Sequence, residues 1–100
     1  MIYYEKYMLA KGVVNTYRNS VKGNANTPHE QVQLKLTRNI MLAHKFTGVY
    51  GTDIYAYGRL HIFVRSNQII GLVNNMFTPR GFKIDKAEYK AMNKILGITH

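Results

Sequence analysis

The sequence predicts an α+β domain: two N-terminal helices, a three-stranded antiparallel meander and a C-terminal helix, with the helices packed on one sheet face. Three observations carry this. Apolar residues recur at spacings of three and four through the first half of the chain. From Val49 the period changes to two. A further helix-start signal follows at Asp85. At 100 residues there is room for one core, so residues 1–100 are a single domain.

In the first helix, over residues 2–22, Tyr3, Tyr7, Ala10, Val14, Tyr17 and Val21 share a face. Gly12 and the β-branched pair Val13-Val14 weaken its middle. Gly23-Asn24-Ala25-Asn26 reads as a turn. Thr27-Pro28-His29-Glu30 then reads as a capping box with proline at the first helical position. This second helix is expected to run to about Lys45 or Phe46. Val32, Leu36, Ile40 and Ala43 line its buried edge, and Leu34, Met41 and Leu42 widen it. Lys35, Arg38, Asn39 and Lys45 are left for its outer side, with Gly48 as the stop.

Ile54–Tyr57, Leu60–Arg65 and Ile69–Val73 read as strands, joined at Gly58-Arg59 and Ser66-Asn67-Gln68. Leu60, Ile62 and Val64 share the face that must meet the helices. His61, Phe63 and Arg65 share the other. Asn74-Asn75 ends the sheet, and Thr78-Pro79-Arg80-Gly81 is a loop. The last helix takes Asp85 as N-cap with Glu88 completing a capping box, and stops at Gly97-Ile98.

Charge is the strongest functional signal. The net charge is +9. Between Gln31 and Ile84, Lys35, Arg38, Lys45, Arg59, Arg65, Arg80 and Lys83 face one carboxylate, Asp53: seven cations less one anion leaves +6. Such imbalance opposes folding by self-repulsion and attracts polyanions. With 46% hydrophobic residues the chain can fill a core, which argues against disorder. A domain of this size also stands to gain from a homodimer interface. No cysteine is present, so disulfides and thiolate chemistry are excluded and a reducing cytoplasm is favoured. The N-terminal residues do not read as a signal peptide, and no apolar run is long enough for a membrane span. The Asn, Lys, Ile and Tyr usage suggests an AT-rich, bacterial or phage-like source.

Most chemistries find no support. His29, His44, His61 and His100 form no close pair, and the acids Glu5, Glu30, Asp53, Asp85 and Glu88 are scattered. No metal site and no cofactor are therefore expected. Glycosidase carboxylate pairs and phosphate-cradling glycine loops are absent as well. Gly48-Val49-Tyr50 with Tyr55-Ala56-Tyr57-Gly58 invites comparison with GIY-YIG nucleases, but the gap is too short and no glutamate matches.

What remains is Tyr55, Tyr57, Arg59, His61, Phe63 and Arg65, aromatics interleaved with cations. Aromatics stack on bases, and arginines neutralise phosphates. His61 is the candidate acid or base for metal-free RNA cleavage, with Arg59 and Arg65 stabilising developing charge. Lys35, Arg38 and Lys45 form a candidate phosphate-tracking stripe, and Arg80 a candidate groove contact. The plainer reading makes the tyrosines β-formers, the helix cations a solvated face and His61 a satisfied strand residue.

Helices followed by an antiparallel meander with a His/Arg-bearing sheet, over residues 27–75, resemble at fold level the RelE- and barnase-like ribonucleases. That resemblance implies a small RNA-cleaving toxin. The function expected is nucleic-acid binding, RNA favoured over DNA, with metal-independent ribonuclease activity as its catalytic extension. The alternative is a non-catalytic interaction protein, such as a phage-encoded inhibitor whose basic surface meets an acidic protein partner.

Overall fold

The first apolar stretch does not form one helix. Met8–Leu9 is a short strand, β1, and helix α1 covers only Val13–Ser20. Gly12 separates them at φ 90°, a left-handed conformation that glycine adopts without steric cost and that stops helix propagation. The computed structural model describes residues 6–48 and 50–99. Tyr3, Glu5, Val49 and His100, which the sequence reading uses, lie outside them.

Helix α2 spans His29–Leu42. Its expected capping box is not made. Thr27 instead donates its hydroxyl to the Asn24 side-chain oxygen at 2.9 Å, and Pro28 occupies the N-cap. The helix also ends earlier than expected. Ala43 is extended, and His44–Thr47 forms strand β2, paired antiparallel with β3 (Asp53–Tyr57). Pairing with β3 gives this segment ladder hydrogen bonds, an option that helical periodicity does not reveal.

Strands β3, β4 (Leu60–Arg65) and β5 (Gln68–Val73) form the expected meander. Ser66 and Asn67, at φ 50° and 62°, make the tight turn between β4 and β5. Two more strands extend the meander, so the sheet is five-stranded and mixed, in the order β1-β5-β4-β3-β2. β1 lies parallel to β5 and pairs with its first two residues, Gln68 and Ile69, at what would otherwise be an open edge. A register shift between Phe63 and Val64 makes Ile70 an extra residue in β5. That bulge changes the alternation, so Ile69 and Leu72 both reach the core, at 0% and 6% exposure.

The core lies between the sheet and the first two helices. Val13 and Tyr17 of α1 meet Val32, Leu36 and Ile40 of α2 over Leu60, Ile62, Val64, Ile69 and Leu72. Helix α3 (Lys86–Leu96) packs on α2. Its ends follow the sequence signals. The Asp85 carboxylate accepts from the N–H groups of Ala87 (2.8 Å) and Glu88 (3.2 Å). At the other end Gly97 is left-handed, and Ile98 N–H donates to the Asn93 carbonyl at 2.9 Å.

The architecture is thus α+β with three helices and a five-stranded sheet. Two expectations need correction: the sheet is larger than a three-stranded meander, and a strand precedes the first helix. Both strands that the sequence reading missed are short, and tertiary pairing stabilises them more than local propensity does.

Leu36→Ala should lower unfolding free energy by about 2–5 kcal/mol, because Leu36 is fully buried. Asp85→Ala should cost about 1 kcal/mol, since it removes a cap at an exposed helix end. Urea unfolding monitored by circular dichroism measures both.

Candidate functional site

Helix α2 is buried on nearly every side. The sheet takes Val32, Leu36 and Ile40. The N-terminal segment takes another side, where Thr37 Oγ1 accepts from Tyr7 N–H (3.3 Å) and Gln33 Nε2 donates to the Tyr7 carbonyl (2.8 Å). Helix α3 covers a third. Lys35 and Arg38, expected on a solvated outer side, are therefore 8% and 5% exposed. The expected outer stripe does not exist, because periodicity locates one apolar face and cannot report that another helix will cover the polar one.

These two cations line a pocket of about 310 Å³. Its walls include Tyr17 and Val21 of α1, Asn24 before α2, and Asn39 within it. Tyr57, Arg59 and Leu60 come from the β3–β4 hairpin, Asn74 from the end of β5, and Tyr89 from α3. No carboxylate among the described residues is part of this lining.

Neutral oxygens hold the two buried cations. Lys35 Nζ donates to Asn24 Oδ1 at 2.8 Å. Arg38 donates from Nε to Asn39 Oδ1 at 3.1 Å, and from a terminal nitrogen to Asn93 Oδ1 at 2.8 Å. The Arg38 guanidinium also lies 4.5 Å from the centre of the Tyr89 ring. Further N–H groups on both cations are not used by these bonds.

The titration behaviour follows from this crowding. Burial lowers the Lys35 pKa, and Arg38 lowers it further. Burial pushes the Tyr17 hydroxyl up to about 12 against a weaker opposing effect of Arg38. Burial raises Tyr57 as well. Both phenols are therefore neutral at physiological pH and supply no counter-charge.

The sheet aromatics and cations do not share one surface. Tyr55 pairs with Ile62 and Tyr57 with Leu60, which places both tyrosines on the helix-facing side. Lys45, opposite Tyr55, lies on that side too and is 3.7 Å from Asp53 in an exposed ion pair. His61 and Phe63 face the other way, as does Arg65, which donates to Thr52 Oγ1 at 3.2 and 2.8 Å. Arg80 is exposed on the loop before α3. The residues expected to share one surface thus lie in four places. Lys35, Arg38, Tyr57 and Arg59 meet at the pocket, Lys45 and Tyr55 sit by Asp53, His61, Phe63 and Arg65 lie across the sheet, and Arg80 stands on its own loop.

His61 is 3% exposed. Its Nε2 lies 2.9 Å from the Phe77 carbonyl, and the Phe77 ring packs against it edge-on at 4.9 Å. A carbonyl only accepts, so Nε2 carries the proton and donates it. Phe77 also approaches Phe46 at 6.2 Å, so the loop after β5 lies over this face. Among the described residues no cluster of histidine and carboxylate side chains could hold a metal ion. No described helix is long and apolar enough to cross a membrane.

Asn24, Asn39, Asn74 and Tyr89 carry no functional signal in the sequence, where the asparagines read as turn, outer-face or strand-end residues. Lone asparagines carry no spacing signal, and it is the fold that brings them together. A match to a protein-family model covers residues 7–95, from just before β1 almost to the end of α3. The chain belongs to the YorE family. Every residue of the pocket lies within the matched span. No curated protein and no solved structure matches the chain.

Lys35→Met should leave the ligand-free protein at least as stable as the parent at pH 7. It removes a buried charge, while Asn24 Oδ1 keeps its bond from Thr27. The folded Lys35 pKa lies below its ordinary 10.5, so the unfolded chain binds that proton more tightly and stability rises with pH through that window. The advantage of Lys35→Met should therefore shrink as pH approaches 10.5. Tyr17 acts oppositely, losing stability between 10 and about 12, and cancels in the comparison. Thermal melts of the two proteins across alkaline pH measure the difference.

Proposed function

We propose that this protein binds nucleic acid, with single-stranded RNA favoured, and does so without catalysing cleavage. One observation carries the reading. Buried cations, an exposed arginine and tyrosine rings converge on one pocket whose described lining has no carboxylate. Arginine and lysine donors suit phosphate oxygens, and tyrosine faces suit unpaired bases. Single strands offer both groups together, whereas duplexes hide the base faces. Arg65, Arg80 and Lys83 add exposed positive charge elsewhere on the surface.

Binding is favoured over ribonuclease chemistry by the state of His61. A general base needs a free ring nitrogen within reach of the substrate hydroxyl. Here the His61 ring is 3% exposed and lies on the sheet face away from the pocket, so neither ring nitrogen is within reach of a strand seated there. Arg59, by contrast, is exposed at the pocket.

Affinity for a fluorescent single-stranded RNA should fall steeply with salt. Three to five neutralised phosphates give a log–log slope of roughly −2 to −3.5. Arg59→Ala should reduce that slope by about 0.7. Lys45→Ala should change it less, because Asp53 already offsets Lys45. Affinity that ignores salt would overturn the reading in favour of a protein partner. The RNA should also remain intact on prolonged incubation. Cleavage that His61→Ala abolishes would replace binding with catalysis.

A further inference from the structure

The pocket concentrates positive charge that the described fold does not neutralise. Lys35 and Arg38 are more than nine-tenths buried, and each is held by carboxamide oxygens. Among the described residues the one ion pair is Lys45–Asp53, on another part of the sheet. Uncompensated buried charge opposes folding. Lys35 does not complete the local hydrogen bonding either, since Asn24 Oδ1 also accepts from Thr27. A charge kept at such a cost, beside a cavity, points to an anion that enters it.

The amount of charge narrows the ligand. Lys35, Arg38 and Arg59 bring three positive charges to one lining. A phosphodiester within a strand supplies a single negative charge. A phosphomonoester carries about −1.5 to −2 near neutral pH and is the closer match. At about 310 Å³ the cavity lies at the small end of ligand pockets, room for about one nucleotide. Tyr57, Tyr89 and Asn74 line the same cavity, where they would meet the nucleoside attached to that phosphate; one face of Tyr89 is already taken by the Arg38 guanidinium.

We propose that the pocket seats a nucleoside phosphomonoester, with Lys35, Arg38 and Arg59 on the phosphate and the tyrosine rings beside the base. The inference rests on the nucleic-acid reading and deepens it: the part of the RNA recognised is its phosphorylated end. A free nucleotide presents the same chemistry.

The test uses the full chain and one RNA sequence in three forms: with a 5′-phosphate, with a 3′-phosphate, and with hydroxyls at both ends. One phosphorylated form should bind at least ten-fold tighter than the hydroxyl form. Lys35→Met should erase that preference, so that the three forms bind alike. Arg59→Gln, at an exposed position, is the second variant and should shrink the preference. Thermal shift with a nucleoside monophosphate, the nucleoside and inorganic phosphate separates the ligand's parts. The monophosphate should stabilise the protein most, and the nucleoside alone least.

Equal affinity for all three RNAs, with no shift from the monophosphate, overturns the inference and leaves the nucleic-acid reading standing. Stabilisation by inorganic phosphate equal to that by the monophosphate overturns the nucleoside part. A shift from the monophosphate with no RNA binding overturns the nucleic-acid reading and supports a free nucleotide as the ligand. Binding to none of these probes overturns both.

Discussion

The all-round burial of helix α2 is the constraint from which the rest of this structure follows. An α+β domain normally covers one face of each helix and leaves the other to water. Here the sheet, α1, α3 and the segment around Tyr7 enclose α2 together. Its apolar side supplies Val32, Leu36 and Ile40 to the core. Its polar side is enclosed as well, so every polar group there needs a partner inside the protein. Thr37 bonds the Gln33 carbonyl, and Arg38 bonds Asn39 and Asn93. Lys35 bonds Asn24.

That enclosure turns ordinary helix cations into candidate site residues. On a solvated face Lys35 and Arg38 would interact weakly with any anion, screened by water and salt. Held at a cavity wall, the same charges act through a medium of lower effective dielectric. They are also held by the asparagine oxygens, so binding an anion there would cost less side-chain entropy. Asn24 has a double role. Its Oδ1 accepts from Lys35 and from Thr27, and its Nδ2 donates to the Lys22 carbonyl at 3.2 Å. The turn before α2 therefore positions a charge as well as reversing the chain.

The sheet separates two environments that the sequence runs together. Residues only two apart share a face within one strand, but the register between strands decides which faces coincide. Tyr55 and Tyr57 of β3 lie over Ile62 and Leu60, with the helices. Ala56 pairs with His61 on the opposite side, where Phe77 closes over both His44–Phe46 and His61. The imidazole there is tied to the loop after β5 by its hydrogen bond to the Phe77 carbonyl. The alternation of aromatic and cationic residues along the chain thus divides between the helix-facing side of the sheet and the side that carries His61.

The meander, the C-terminal helix and its two end signals were legible in the sequence because their causes are local. Alternation, Ser66-Asn67 turn chemistry, the Asp85 cap and the Gly97 stop act within a few residues. The acid-poor cation set was legible too, as a count. Tertiary structure decided the rest. β1 and β2 exist because β5 and β3 offer them partners, and Thr27 leaves its helix because Asn24 binds its hydroxyl. Lys35, Arg38 and Arg59 stand at one cavity because α3 and the β3–β4 hairpin close over α2. Sequence alone determined that positive charge exceeds negative. Only the packing determined where that charge loses its water, because desolvation depends on neighbours brought in from distant parts of the chain.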